Sequence, residues 1–346
     1  MLIVRNFCHE SYYEKKLLLM RFLIILKYIV LLFVQIKMLF GRWECCYFQY
    51  CKIILRALHF ISFFRGKLDS ENKIKIQYLS EEFHVPIIIY FMKDEMLYDL
   101  HKTENISITA YYRLLMPYVL EEEGVTKVLY LDVDMLCKGN IEELFSIDMQ
   151  KNIAYVVKGF TSIPEWWKRY CAFLGMRGNR YFNSGMMLIN IPTYIRQDIG
   201  NKAIQLAREE NYKYMDQDVL NILLEDKVIC DTASQYNCTM SVRNHEFDEN
   251  KVKIVHFTGS KKPWNLYTTL WDSNYCFGDK EHSWKYSYYE QWRICAGQSP
   301  WKNVPYDKPK SYTEWRYLSD MYRHAGEYKK ACNAYVKYLL YKLKSR

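Results

Sequence analysis

The sequence predicts an α/β fold on an open sheet, and three features carry that prediction. Val128 to Leu131 is a continuous apolar run, as in a strand buried on both faces, and it leads straight into Asp132-Val-Asp134. Lys253-Ile-Val-His256 repeats the pattern, a buried run that ends on a histidine. Between them, strand text alternates with helical spacing: Ile153 to Val157 reads as a strand, Ile199 to Glu210 as an amphipathic helix.

The other elements fit the same plan. Ile87 to Phe91 reads as a buried strand, and Ile108 to Leu120 as a helix that Pro117 should end or kink. Tyr181-Phe-Asn-Ser-Gly185 precedes an apolar strand, Met186 to Ile189. Tyr214-Met-Asp-Gln-Asp218 precedes Val219 to Leu224, whose apolar spacing suits a helix. After Trp264 the buried-strand runs stop. Thr313 to His324 and Glu327 to Leu343 read as two helices joined at Gly326, too few for a repeat solenoid. In the last helix Ala331, Tyr335, Tyr338 and Leu339 share one side and should pack on the partner helix, with the lysines near its end facing outward.

Open α/β sheets bind ligands at the carboxyl ends of their strands, which is where Asp132 and Asp134 fall. In extended backbone, residues two apart point to the same side. Two such carboxylates repel unless a cation, protons or donors compensate them. Mg²⁺ and Mn²⁺ prefer oxygen ligands and commonly bridge to phosphates; a solvated turn is the plain alternative. His256 can complete a metal site or be a satisfied core histidine. In Phe257-Thr-Gly259-Ser-Lys-Lys262, the glycine allows close backbone approach to an anion and the lysine can neutralise phosphate oxygens. Asn183 and Gly185 suit a sugar hydroxyl or a turn. Asp216 suits a helix N-cap, with Gln217 and Asp218 in the first turn.

Taken in order, LYLDVD, YFNSG, YMDQDVLN and HFTGSKKPW resemble the retaining glycosyltransferases of family 8. More narrowly, they are similar to the bacterial lipopolysaccharide core glucosyl- and galactosyltransferases. Ser299-Pro-Trp-Lys302, Lys310 to Arg316 and Tyr335 to Leu340 resemble that group's small C-terminal domain. The resemblance runs from about Leu68 to the end. It implies a GT-A-type fold over residues 68–265 and a small C-terminal helical appendage over residues 266–346. It also implies a UDP-glucose or UDP-galactose donor, a lipopolysaccharide or other saccharide acceptor, retention of anomeric configuration, and Mn²⁺ or Mg²⁺. Carried over by motif, Asp132, Asp134 and His256 hold the metal, while Gly259 and Lys262 contact the diphosphate. Asn183, Gly185 and Asp216 position the donor sugar, and Gln217 and Asp218 lie nearest the reacting carbon. Tyr111 and Arg113, within Thr109-Ala-Tyr-Tyr-Arg113, line the donor pocket. The implied place of work is the bacterial cytoplasm, at the inner face of the cytoplasmic membrane. A metal phosphoesterase is disfavoured because no second ligand cluster is visible.

Residues 1–67 depart from the family pattern. Lys15 to Lys37 is apolar enough to invite a membrane reading, but Arg21, Lys27 and Lys37 interrupt it and leave Tyr28 to Ile36 clean. A spanning helix needs about 20 largely apolar residues, so any membrane contact here would be that of an interfacial helix. A one-base shift of frame across Cys45 to Lys52 permits Val-Val-Ile-Ser-Ser-Ile-Ala-Lys, which looks like the family's first helix. On that reading the nucleotide-binding strand is missing, and the alternative is an inactive relative with a saccharide- or membrane-binding role.

At 346 residues, half of them apolar, the chain can build one large domain with an appendage or two domains. Eleven cysteines with no C-x-x-C pair argue against a disulfide framework or a zinc ribbon. The net charge of +9 suits an anionic partner, but no nucleic-acid-binding module is present. Asn105-Ile-Ser107 and Asn237-Cys-Thr239 match the glycosylation pattern by chance in such a compartment.

Overall fold

The computed structural model describes residues 13–17, 30–35, 59–65, 68–84, 86–93, 95–102, 108–159, 164–178, 180–240, 248–269 and 285–345. The strands among them are β1 (Tyr13–Leu17), β2 (Val30–Gln35), β3 (His59–Arg65), β4 (Ile87–Met92), β5 (Lys127–Leu131), β6 (Met135–Cys137), β7 (Ala154–Lys158), β8 (Phe182–Asn190), β9 (Val228–Asp231), β10 (Cys238–Thr239) and β11 (Ile254–His256). The α-helices are α1 (Ser70–Phe83), α2 (Tyr112–Glu122), α3 (Glu165–Phe173), α4 (Ile191–Arg196), α5 (Ile199–Glu209), α6 (Asp216–Leu224), α7 (Lys285–Gln298), α8 (Tyr312–His324) and α9 (Tyr328–Lys344).

Eight strands form one sheet in the order β1-β4-β3-β2-β5-β8-β7-β9, and β10-β11-β6 form a second. β4, β3, β2 and β5 are parallel, whereas β8 runs antiparallel to both β5 and β7. The unbroken apolar text of β5 follows from cover on both faces. Val128 and Tyr130 enter a core with residues of α2, α5 and α6, while Leu129 and Leu131 enter another with Ile76 and Leu79 of α1. A third core joins the small sheet to the C-terminal helices, with Val255 and Phe257 against Tyr289, Trp292 and Trp315. Trp301 donates from Nε1 to Asn72 Oδ1 at 2.6 Å, fastening the tail to α1.

Several expectations need correction. Val30–Gln35 is an inner strand between β3 and β5, not an interfacial helix. A short apolar run fits either element, and periodicity does not separate them. The sheet therefore reaches upstream of Leu68. Residues 45–52, the stretch open to the shifted frame, lie outside the described residues. Pro117 does not end its helix: α2 continues to Glu122 behind a 3₁₀ turn at Ile108–Tyr111. Only one backbone bond is lost there, and buried neighbours from Leu114 to Leu120 hold the helix in place. Asn183 and Gly185 lie inside β8 rather than in a loop before it. Asp216 is the first residue of α6, not its cap; Met215 precedes it with φ 49°. In α9 the buried face is Ala331, Ala334 and Tyr338, which leaves Tyr335 and Leu339 exposed. No helix among the described residues is long and apolar enough to cross a membrane. The cysteines among them are free thiols.

Candidate active site

Asp132 and Asp134 occupy the step from one sheet to the other. β5 ends at Leu131, paired with Met186 of β8, and the next residue, Asp132, donates its N–H to Gly185 O at 2.7 Å. Three residues on, the chain enters β6, where Met135 pairs with His256 of β11; just before it, Asp134 O accepts from Phe257 N at 2.8 Å. The two pairings bring the residues together. One ligand atom each from Asp132, Asp134 and His256 lies within 4.8 Å of the others. His256 Nε2 stands 3.2 Å from Asp134 Oδ1 and 3.7 Å from Asp132 Oδ2.

Gly185 forms the floor. A Cβ there would lie 2.3 Å from His256 Cε1 and 2.7 Å from Asp132 Oδ2, so any side chain would fill the space between these two ligands. Two carboxylates and an imidazole, converging over a cradle with no room for a methyl group, fit a small divalent cation such as Mn²⁺ or Mg²⁺. Lys262 reaches the same place, its Nζ donating to Asp134 Oδ2 and to Phe257 O. Burial alone would raise the Asp134 carboxyl, but Lys262 and His256 outweigh it and hold it well below the ordinary carboxylate range.

Arg113 joins this corner to the next. Its guanidinium donates to Asp132 Oδ1 at 2.9 Å, to Ser184 O at 2.8 Å and to Ser184 Oγ at 3.0 Å, and it stacks 4.4 Å from the Tyr130 ring. Burial opposes its charge, but Asp132 and Asp216 more than offset that and raise its pKa. Asp216 is buried, and desolvation pushes it up to about 6 against the pull of Arg113. Tyr111 is buried under the site with its hydroxyl donated to His101 O at 2.9 Å.

Helix α6 presents the remaining residues. The positive φ of Met215, a backbone state that side chains rarely adopt, turns the chain into the site. Asn221 clamps the helix to β8: it accepts from Phe182 N at 2.8 Å and donates to Phe182 O at 2.9 Å. Gln217 Oε1 then accepts from Asn183 Nδ2 at 3.0 Å and from Ser184 N at 3.1 Å. Asp218 is fully buried, with Tyr181 donating to one oxygen and Tyr170 and the Tyr214 N–H donating to the other. This leaves it no free face toward a substrate. Gly259 lies apart from the cluster, exposed on the loop to Lys262 with φ 84°, a left-handed turn that glycine permits. Helix α7 braces that loop, with Tyr289 donating to Lys261 O at 2.9 Å and Arg293 to Pro263 O at 3.1 Å.

Sequence reading missed Tyr130, Asn221 and Asn237. Tyr130 stands two residues before Asp132 in a strand, and Asn221 four after Gln217 on a helix, so spacing could have flagged both. Asn237 carries no local signal beyond a glycosylation pattern.

Comparison with known proteins bears on the family and the fold. The Glycosyl transferase family 8 profile matches residues 26–268, and the Glycosyl transferase family 8 C-terminal profile matches residues 287–342. A lipopolysaccharide 1,3-galactosyltransferase of Salmonella typhimurium is 28% identical over 296 residues, 81% of each chain. The lipopolysaccharide glucosyltransferase WaaO of Escherichia coli is 30% identical over 282 residues, 77% of each. An active-site mutant of LgtC superposes with a TM-score of 0.61 at 22% identity, covering 84% of this chain and 99% of that one. The galactosyltransferase LgtC with donor and acceptor sugar analogues gives a TM-score of 0.59, also at 22% identity, covering 80% of this chain and 97% of that one. At that identity the likeness speaks for the fold, which is GT-A.

Proposed function

We propose that this protein, which belongs to glycosyltransferase family 8, transfers a hexose from UDP-glucose or UDP-galactose to a lipopolysaccharide core acceptor, with retention of anomeric configuration. The observation that carries the reading is the convergence of Asp132, Asp134 and His256 over Gly185. The lipopolysaccharide hexosyltransferases among the relatives support the acceptor class.

Asp132, Asp134 and His256 would hold a divalent ion, Mn²⁺ or Mg²⁺, which when bound would stabilise charge on a departing diphosphate. The chain's own residues do the rest. Lys262 exchanges Asp134 for a phosphate oxygen and adds positive charge where negative charge collects. Gly259 lets the loop backbone approach the same anion. Asp216, whose Oδ2 is ion-paired with Arg113 but receives no hydrogen bond, is the acceptor for a sugar hydroxyl, while Arg113 holds Asp132 and Asp216 in place. Gln217, partly exposed beside Asn183, faces the reacting sugar. Asp218 positions rather than reacts, because both of its oxygens are occupied. The place of work is the bacterial cytoplasm, against the inner face of the membrane, with the lysines of α9 toward the anionic surface.

Gln217→Ala tests the sugar end. Turnover should fall about a hundredfold while UDP affinity stays near the wild-type value, and the wild-type product should keep the donor's anomeric configuration. An equal loss of UDP binding would make Gln217 a structural residue.

A further inference from the structure

Asn237 sits between the 3₁₀ turn Ser234–Tyr236 and β10, and it is buried. Its amide touches both halves of the site. Oδ1 faces His256 Nδ1 at 3.0 Å, and Nδ2 donates to Asn183 Oδ1 at 3.0 Å. From Asn183 the chain of bonds continues through Gln217 to Tyr181, and from Tyr181 to Asp218.

Side-chain amides can be turned end for end, so the polarity of such a chain needs an anchor. Two backbone N–H groups supply it. The N–H of Ser184 points at Gln217 Oε1 at 3.1 Å, and the N–H of Gly185 points at Asn183 Oδ1 at 3.1 Å. A backbone N–H can only donate, so both facing atoms are oxygens. Asn183 Oδ1 therefore accepts, Asn237 must present its NH₂ there, and Asn237 Oδ1 is left facing His256. The proton of a neutral imidazole then sits on Nδ1, and the Nε2 lone pair points at the gap between Asp132 and Asp134. That is the tautomer a cation requires.

We infer that Asn237 is a positioning residue: it fixes His256 in the metal-accepting tautomer and ties that orientation, through Asn183, to the placement of Gln217 at the sugar end. The inference rests on the metal reading above. Outer partners of this kind typically change metal affinity or activity by about 10- to 100-fold when removed.

The test separates the two arms of the amide, using Mn²⁺ binding to the full chain by titration calorimetry and turnover of UDP-hexose. Asn237→Asp still accepts from His256 Nδ1–H but can no longer donate to Asn183. Its Mn²⁺ affinity should stay close to wild type while kcat falls. Asn237→Ala loses both contacts, and its Mn²⁺ affinity should drop by about 10- to 100-fold. Nitrogen-15 spectra of the metal-free chain should show His256 protonated at Nδ1 in wild type and in Asn237→Asp, and a tautomer mixture in Asn237→Ala. Unchanged Mn²⁺ affinity in Asn237→Ala, or equal losses in the two variants, would overturn the inference. If Asn237→Ala does not fold, Asn237→Asp decides alone: affinity kept with kcat lost supports the proposal, and parallel loss of both rejects it. Absence of Mn²⁺ binding by the wild-type chain would reject the metal reading itself, and this inference with it.

Discussion

Arg113 Nε lies 2.9 Å from Asp216 Oδ2, yet its proton goes to the carbonyl of Ala110 at 3.1 Å. The charges are paired, but the carboxylate oxygen has no hydrogen-bond donor among the described residues. An ion pair that leaves an acceptor open suits a residue that must take a hydroxyl from a ligand.

The same burial predicts a pH signature. Asp216 rises from 3.8 to about 6, chiefly through desolvation. The folded-state value exceeds the unfolded one, so the protonated form favours folding. This contribution is complete below the unfolded value and is lost as pH rises through about 6. The displacement corresponds to about 3 kcal/mol. Relative to Asp216→Asn, which does not titrate, the wild type should lose that amount between about pH 4 and about pH 7 in urea unfolding. A difference curve flat with pH would mean that Asp216 is not desolvated as described.

Gly185→Ala would place a methyl within 2.3 Å of His256 Cε1. Mn²⁺ binding should vanish while the far-ultraviolet circular dichroism persists, since the atoms the methyl would meet belong to the side chains of His256, Asp132 and Asn183 rather than to backbone. Wild-type Mn²⁺ affinity in this variant would show that the ion is held somewhere else.

Lys262→Ala separates the lysine's two partners. Without a nucleotide, the ammonium competes with a cation for Asp134, so the variant should bind Mn²⁺ more tightly than wild type. Turnover of UDP-hexose should nevertheless fall by about a hundred- to a thousandfold, because the charge that meets the phosphate is gone. Weaker Mn²⁺ binding would contradict the competition.

The C-terminal helix exposes Val336, Leu340 and Leu343 beside its lysines. Deleting residues 337–346 would also remove Tyr338, which packs against Tyr312 and Tyr335, so charge removal is the cleaner probe. Replacing Lys329, Lys342 and Lys344 by Gln should weaken association with anionic vesicles by about 1 kcal/mol per lysine, and added salt should do the same to the wild type. Turnover of a soluble acceptor should not change. Vesicle binding indifferent to both would reduce α9 to packing.

What the sequence made legible was local. Strand-end carboxylates after Leu131 and a strand-end histidine after Val255 follow from two buried apolar runs. Their convergence depends on β6 pairing with β11, a long-range contact that no spacing encodes. Asn183 to Gly185 read as a loop because Asn, Ser and Gly are poor strand formers; the Asp132 N–H donated to Gly185 O at one end and the Asn221 clamp on Phe182 at the other hold them in β8. Val30–Gln35 was ambiguous for the opposite reason, being apolar enough for either element. Asn237 was invisible because its role exists only where three elements meet.

The most direct test is UDP-hexose turnover by the full chain and by Asp134→Ala as Mn²⁺ is titrated in from a chelated start. The account predicts that wild-type transfer from UDP-glucose or UDP-galactose rises saturably with Mn²⁺ and that Asp134→Ala, folded as wild type, stays inactive throughout. Wild-type turnover that is indifferent to Mn²⁺, or an Asp134→Ala variant as active as the parent, would contradict it.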